Sequence, residues 1–559
     1  MKKLRWQILI ILLTGLIVGI LLVTQKPQSQ NAVNQPQTGG IYTEAIIGSF
    51  QRLNPLFDHY NQADRDVDRL IFSSLVKFDA QGNAQPDLAE TWGVSKDGLT
   101  YNFSIREGIV WHDGLPLTVD DVIFTVELMR SESSVTPSDV KDFWKQVTLH
   151  KLDEHNLQLR IPEPFSPFLD YLSFGVLPEH LLQNQSYDQI VESTFNLQPV
   201  GSGPYKIDHL IVEKDQVAGV ALRVNETYFL GKPYIEQMVF RFYPDSASAY
   251  TAYLDGEVQG ISQVTSDILQ QVLAEKNLST YTGRRPELSM VLLNLNNSNV
   301  EFFQDVEVRW ALMKSVNRSF IINRIMNGQA IPAESPILPD TWSYFSEGPI
   351  AFDQESAIEQ LKAASYNFEK EGDTVRSKDG KYLSFTLSHP DDPFHSLIAQ
   401  AIQRDWTALG IEVTLEPLPY DALIDQKLVH RDYQAALVDI NLSRSPDPDP
   451  YPFWDQAQAT GGQNYSQWSN NVASEYLEQA RINFDPAERT RLYHNFQVIF
   501  RKEMPAILLY YPVYSYAVSD RIQNVQMGPI YDPSDRFQTV KDWYLIIRRG
   551  TQEEETAVP

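Results

Sequence analysis

Apolar and polar positions in this chain switch repeatedly between a period of two and a period near 3.6, which predicts alternating strands and helices. Tyr101, Phe103 and Ile105 alternate with polar neighbours behind Asp97-Gly98, the pattern of a half-buried strand leaving a two-residue type I′ turn. Thr118 stands three residues before Asp121, an acidic capping box, and Val122, Ile123, Val126 and Met129 follow at helical spacing. Ile41–Ser49 reads as a short first strand, Met238–Tyr243 as another, and Ala249–Leu254 as a helix stopped at Asp255-Gly256. Val308, Ala311, Leu312, Ile321, Ile322 and Ile325 predict a buried helical face within Asp305–Gly328, with Gly328 just past its end. Ile398, Ile402, Trp406 and Leu409 mark one side of an amphipathic helix; Gly410 ends it, and Ile411, Val413 and Leu415 form the next strand. Asp485-Pro486-Ala487-Glu488 starts a long helix with Asp as N-cap and Pro in the first position. That helix stops before Met504-Pro505, and Ile507–Val518 predicts a strand crossing back toward the first half. Helix leading directly into strand makes the class α/β.

The N-terminus breaks this alternation. Lys2, Lys3 and Arg5 precede the mostly apolar run Ile8–Val23, a somewhat short transmembrane helix whose basic flank places the body outside the cytoplasm. A cleaved signal peptide is the competing fate, but Leu22–Pro27 carries no A-x-A site, which favours a permanent anchor. Gln25–Gly40, rich in Gln, Asn and Pro, reads as a disordered tether, and Thr551–Pro559 as a short acidic tail. At 559 residues the body should divide into at least two lobes. The 46 basic against 72 acidic residues, net −26, argue against nucleic acid and anionic headgroups as partners. Zero cysteines exclude disulfides, thiolate metal sites, a Cys nucleophile and a lipid-modified N-terminal Cys.

Pro86–Phe124 carries more than a fold class. Leu88-Ala89-Glu90, Trp92, Asp97-Gly98, Arg106, Gly108, Trp111-His112-Asp113-Gly114 and Asp121-Val122 resemble, at fixed spacings, a signature of the extracellular solute-binding proteins of family 5, the peptide/nickel class that serves ABC importers. Leu53-Asn54-Pro55-Leu56, Leu70–Val76, Val200–Lys206 (VGSGPYK), Asn225–Asp245 and Asp305–Gly328 are similar to further motifs of that family, so the resemblance covers essentially the whole body. The glycines of VGSGPYK read as permitting a turn with unusual φ.

The resemblance implies an α/β, two-lobed periplasmic-binding-protein-like fold of type II, the large peptide-binding class, with a hinge between the lobes and one N-terminal transmembrane helix ahead of it. The expected divisions are an anchor at 1–24, a linker at 25–40, lobe I with an inserted subdomain at 41–284, lobe II at 285–512, a return to lobe I at 513–549 and a tail at 550–559. Crossings are expected near Gly283–Glu287 and Tyr510–Ala517. The function implied is an extracytoplasmic, monomeric receptor that captures an oligopeptide in the cleft and delivers it to the transmembrane subunits of an ABC permease. A sensor presenting its ligand to a signalling partner, or a receptor for a nickel complex, haem or sugar, are the alternatives. The resemblance implies no catalytic residue, metal or cofactor.

Three segments correspond to cleft walls in the resembled family. The first holds Asn61, Gln62 and Asp64, for which an ordinary helix-leading loop is the alternative. The second holds Val438, Asp439, Ile440, Asn441 and Arg444, where relatives bond the peptide backbone. There an Asp four residues before a proline pairs with the ligand's amino terminus; this chain has Leu442 or Arg444 at that spacing, with Asp439 as a stand-in. Asp447 and Asp449 read as caps of a proline-stiffened turn rather than metal ligands. In the third, Tyr465 and Trp468 either stack on a ligand or pack in the core. His389 and His395 lack the helical spacing of a zinc pair and read as a solvated loop, while His112 reads as structural.

Overall fold

A computed structural model describes residues 38–443 and 446–546. The expected anchor at 1–24, linker residues 25–37, Arg444 and the expected tail at 550–559 lie outside the described residues. Among the described residues no helix is long and apolar enough to cross a membrane. Gly39 and Gly40, at the end of the expected tether, already bond to Tyr234 and Glu236 of the body.

One sheet of twelve strands runs through both halves of the molecule. Its strands are β1 (Ile41–Ile47), β2 (Tyr205–Glu213), β3 (Gln216–Val224), β4 (Gln237–Tyr243), β5 (Gly260–Ile261), β6 (Leu278–Arg284), β7 (Glu287–Leu293), β8 (Ala330–Pro332), β9 (Ser384–Pro390), β10 (Glu412–Leu418), β11 (Ala435–Asn441) and β12 (Ala506–Ser519). The order is β10-β9-β11-β7-β12-β5-β1-β4-β3-β2, with β6 and β8 also paired to β12. Strand β12 is the spine, a run of β-branched, aliphatic and aromatic residues long enough to serve both halves of the sheet. Its first half pairs with β7 in lobe II, and Val513–Ser519 pairs with β6 in lobe I. Pairing along β12 thus changes from β7 to β6 between Tyr510 and Val513, and the chain steps from β6 to β7 at Arg285-Pro286, a passage where Arg285 N–H donates to Pro512 O at 2.9 Å.

Lobe II buries both faces of its half-sheet, as parallel strands require. One face packs Leu387, Leu437, Ile507 and Leu509 against Ile398, Ile402 and Trp406 of a helix. The other packs Met290, Val438 and Leu508 against Leu477, Phe496 and Phe500. Lobe I carries an insert, a four-stranded antiparallel sheet of Ala89–Val94, Thr100–Ile105, Asn156–Arg160 and Thr148–Lys151. Its hairpin is not the type I′ turn that Asp97-Gly98 suggested. Gly98 alone has positive φ (70°), and its N–H closes a turn on Ser95 O at 2.9 Å. Asp97 instead lends its carboxylate to Leu99 N–H, a local bond that a right-handed Asp can make.

Four helices matter below: α1 (Gln62–Ile71), α2 (Pro393–Thr407), α3 (Asn471–Ile482) and α4 (Pro486–Glu503). Asp485 caps α4 through Ala487 and Glu488 N–H, and Met504 ends it in the left-handed conformation. The single helix expected in Asp305–Gly328 is broken: Val306–Ser315 stops at Val316, and Asn317 caps a new turn from Arg318 while giving its own N–H to Asp405.

The glycines of VGSGPYK are required by contact rather than by φ, which is ordinary at Gly201 and Gly203. A Cβ on Gly201 would sit 2.0 Å from Ile71 O, and one on Gly203 would sit 2.5 Å from Leu70 O, both backbone atoms at the end of α1. His112 holds the other side of this turn. Its Nδ1 accepts from Gly201 N–H and its Nε2 donates to Gly203 O, each at 3.1 Å. Burial pushes the imidazole down from 6.5 to about 4, so it folds neutral. A base depressed in the folded state contributes fully above pH 6.5, and that contribution is lost as pH falls toward 4, about 3 kcal/mol in all. Asp64, raised to about 6 by burial, has the opposite slope, so the measurement is a comparison of variants. Unfolding free energies of the parent chain and of His112→Gln at pH 7 and pH 4.5 are expected to differ in their pH dependence by about 2–3 kcal/mol, with acidification less unfavourable to the variant.

Candidate functional site

In both lobes the parallel strands aim their carboxyl ends at the passage between the lobes. In lobe II, β9, β10 and β11 run the same way, and Asn441 at the end of β11 pairs with Glu287, next to the passage. In lobe I, β1, β4 and β5 are parallel, and β5 runs antiparallel to β12, so all three also end toward Val513. Ligands of open α/β sheets lie outside the carboxyl ends of the strands, because the loops there are free to vary. Here two such ends are set against each other.

On the lobe I side the loop 48–52 leaves β1. Asp64 accepts from Gln51 N–H and Arg52 N–H, and Asn61 donates to Ser49 O and to Asp64. Asn61 and Asp64 therefore brace this loop from behind. Gln62 turns away, donating to Asp66 at 2.8 Å and Asp532 at 3.1 Å.

On the lobe II side a polar cluster centres on His395, in the first turn of α2. Its Nδ1 lies 2.5 Å from Asp392 and its Nε2 lies 2.9 Å from Asp439. Burial alone would lower this imidazole, but Asp439 and Asp392 outweigh it and hold the group above its ordinary range. Glu287 is raised by burial, which its partner Arg285 at 2.5 Å offsets only in part. Tyr420, half exposed, stands in the field of Asp439 and Glu287. Ser289 lies opposite Asp439 on one side and Tyr510 on the other, one row across three neighbouring strands. The expected solvated His loop is thus corrected: His389 is buried in β9, and His395 is clamped by two carboxylates.

Strand β11 has one bare edge. It pairs with β7 along its whole length, but with β9 only at Ala435 and Ala436, after which the two strands part. Among the described residues, no strand pairs with that side of Leu437–Asn441; Leu437 and Val438 are buried by other groups, and Asp439–Asn441 are half-buried to exposed.

The other expected site residues fall variously. Val438 is buried in the core, Ile440 is half-buried, and Asn441 is exposed and accepts from Ser443 N–H. Tyr465 lies under the Arg431 guanidinium at 4.8 Å. Trp468 is buried against Phe496 and Phe500, its Nε1–H donating to Glu503 at 2.6 Å. Asp449 caps Tyr451 N–H as expected and also pairs with Arg481 at 2.9 Å. Asp447 pairs with Arg489 at 2.7 Å, and its N–H donates to Asp170 of the lobe I insert, tying this loop to the insert. Among the described residues no group of three or more His, Asp or Glu side chains is placed to hold a metal ion. No pattern in the sequence singles out Glu287, Ser289, Asp392, Tyr420 or Tyr510; of this cluster, only Asp439 and the His395 segment carry a signal there.

A family model described as bacterial extracellular solute-binding proteins, family 5, middle part, matches residues 83–463. The oligopeptide-binding protein AppA of Bacillus subtilis (strain 168) is 27% identical over 535 residues, spanning 93% of this chain and 94% of that protein. The solved structure of AppA from Bacillus subtilis in complex with a nonapeptide is similar at a TM-score of 0.65 and 25% identity, covering 92% of this chain and all of that one (100%). HbpA2 from Haemophilus parasuis shares the fold at a TM-score of 0.77 and 20% identity, over 89% of this chain and 99% of its own. The two-lobed architecture, the motifs along lobe I and the matched span agree, and the chain belongs to the bacterial extracellular solute-binding proteins of family 5.

Proposed function

We propose that this chain is the extracytoplasmic receptor of an ABC importer and captures oligopeptides in the groove between its lobes. The observation that carries this reading is the unpaired edge of β11 over Asp439–Asn441, set at the carboxyl ends of the strands and beside the passage. An extended peptide can add there as a strand, so that main-chain bonds give affinity while side chains vary. The name of the AppA relative and its nonapeptide complex support the same ligand class.

Lobe I at 41–284 and 513–549 and lobe II at 285–512 would close by rotation about the two passages, because a guest touching both walls favours the closed state. The receptor is a monomer, anchored by residues 1–24 through the linker, and hands its guest unaltered to the permease subunits. Native mass spectrometry of the purified chain is the test. A heterogeneous envelope of peptide masses is expected, and a single non-peptide species would refute the assignment.

Strand addition makes a second expectation. N-methylation of alternate backbone amides of a bound peptide removes donors to the β11 edge and should weaken binding by about tenfold at each contacted position. Methylation of the intervening amides should have little effect. Calorimetry on the two peptide sets reads the difference, and equal responses would rule out strand addition.

A further inference from the structure

The step from β6 to β7 at Arg285-Pro286 and the change of pairing along β12 lie side by side, joined by a hydrogen bond. Two bonded strands pin the lobes at one place, and a single pin leaves the direction of rotation open. A second row of contacts joins the lobes, between the lobe I insert and the corner where α3 meets α4. It starts beside the passage. A Cβ on Gly82 would lie 2.6 Å from Pro446 O and 2.8 Å from the Tyr531 hydroxyl, and Arg284 stands over the Tyr531 ring at 5.7 Å. Next, Asp447 N–H donates to Asp170 at 3.0 Å and Ser166 Oγ donates to Asn483 O. The Arg481 guanidinium lies over two rings, Phe165 of the insert at 5.0 Å and Tyr451 of lobe II at 4.3 Å. The row ends at Phe484, whose ring is 6.3 Å from that of Tyr101 and fills the space that a Cβ on Gly98 would need. Among the described residues, Phe484 is the one side chain of lobe II packed against the lobe I core.

We propose that the insert is the second bearing of the hinge: lobe II turns on lobe I about the line from Arg285-Pro286 to Phe484, and the insert contact persists throughout the swing. This rests on the lobes closing by rotation. The chemistry of the contact suits turning. A ring seated against a glycine and a guanidinium lying over ring faces keep their contact as one surface rotates on the other, because neither depends on a single angle. The directional bonds are few, since Asp447 N–H and Ser166 Oγ each make one across the contact. Phe484 and Arg481 are half-buried, as in a mobile interdomain surface and unlike a fused core. One fixed axis brings the same residues of both lobes together at every closure. Such pre-organisation raises affinity without touching the guest.

The chain has no cysteine, so spin labels attach only where a cysteine is introduced. The test uses the full chain in detergent, one label pair at a time, with distances read by double electron–electron resonance. Glu163→Cys with Ala487→Cys flanks the bearing, and both sites are exposed. Tyr60→Cys with Leu397→Cys, at exposed sites beyond the carboxyl ends of β1 and β9, reports the swing. The bearing pair is expected to give one narrow distribution that a mixture of synthetic nonapeptides does not move. The swing pair should be about twofold wider without peptide, or displaced by it. Arg481→Ala with Phe484→Ala should about double the width of the bearing pair. A bearing pair as wide as the swing pair, or displaced together with it, overturns the proposal and leaves closure standing. So does a bearing pair that stays narrow in the folded double variant. Narrow and unmoved distributions for both pairs sink the closure reading and the bearing with it. Comparing the two pairs needs no substitution in the contact, so it decides even where the double variant does not fold.

Discussion

Replacing Arg536 with methionine is expected to cost lobe I about 3–5 kcal/mol, more than any other single change in its core. Arg536 is fully buried (0% exposed) and bonds Glu44 on β1 and Asp66 on α1, both at 2.7 Å. Burial would lower its affinity for a proton, but Asp66 and Glu44 outweigh that and hold the guanidinium charged. Glu44 itself is raised by burial against the pull of Arg536, and its Oε2 also receives the Tyr42 and Tyr516 hydroxyls. Methionine keeps most of the volume and leaves two carboxylates fully buried without a cationic partner there. The loss is therefore that of two uncompensated buried charges and not of one ion pair, which in itself stabilises little.

Two readouts separate this from simple loss of packing. First, adding Glu44→Gln and Asp66→Asn to Arg536→Met should recover more than half of the deficit, measured as the lobe I unfolding transition in calorimetry. Second, the sign with pH is fixed. Without Arg536, Glu44 is raised further above its unfolded value, so the folded chain holds more protons than the unfolded one. Stability of Arg536→Met should then improve as pH falls from 7 toward 5, and a deficit that stays constant would rule out the charge account.

Gly201→Ala is expected to be the second most damaging change, about 3 kcal/mol or more. The new methyl would lie 2.0 Å from Ile71 O and 2.7 Å from Ile71 C, and both are backbone, so no side chain can swing aside. Either the turn or the last turn of α1 has to move. Moving the turn breaks its bonds to His112, and moving α1 breaks the bond from Gly203 N–H to Ile71 O at 2.8 Å. Because α1 carries Asn61 and Asp64 against the loop 48–52, ligand affinity should fall together with stability. Gly93→Ala is the control: its Cβ meets nothing within 4 Å and its φ is ordinary, so it should change stability by less than about 0.5 kcal/mol. Equal unfolding midpoints for the two variants would show that the turn yields more easily than its contacts imply.

Most elements were legible in the pattern because their causes are local. Asp485 and Pro486 start a helix whatever surrounds them, and Thr118 with Asp121 forms its capping box within four residues. The failures share one physical origin. At Asp305–Gly328 the apolar spacing continues through Asn317, but Asp405, far away in sequence, takes the Asn317 N–H and the helix restarts there. Gly98 was legible as a turn glycine, but its turn type depended on Asp97 keeping a right-handed backbone. At Gly201 a glycine was required for space rather than for rotation, and space is set by α1.

Sequence alone determined the class, the family and the order of elements, since each follows from short-range spacing and from motifs that span a few residues. Tertiary structure alone decided the site. Residues 287, 289, 395, 439 and 510 come together only because β7 pairs with both β11 and β12 while α2 begins beside them. It also decided that Trp468 packs inside while Asp439 stays a third exposed beside His395, two outcomes that composition and periodicity leave equal. Chain pattern tells which face of an element is buried, but which buried or exposed groups meet is a property of strand order, and strand order is set by contacts hundreds of residues apart.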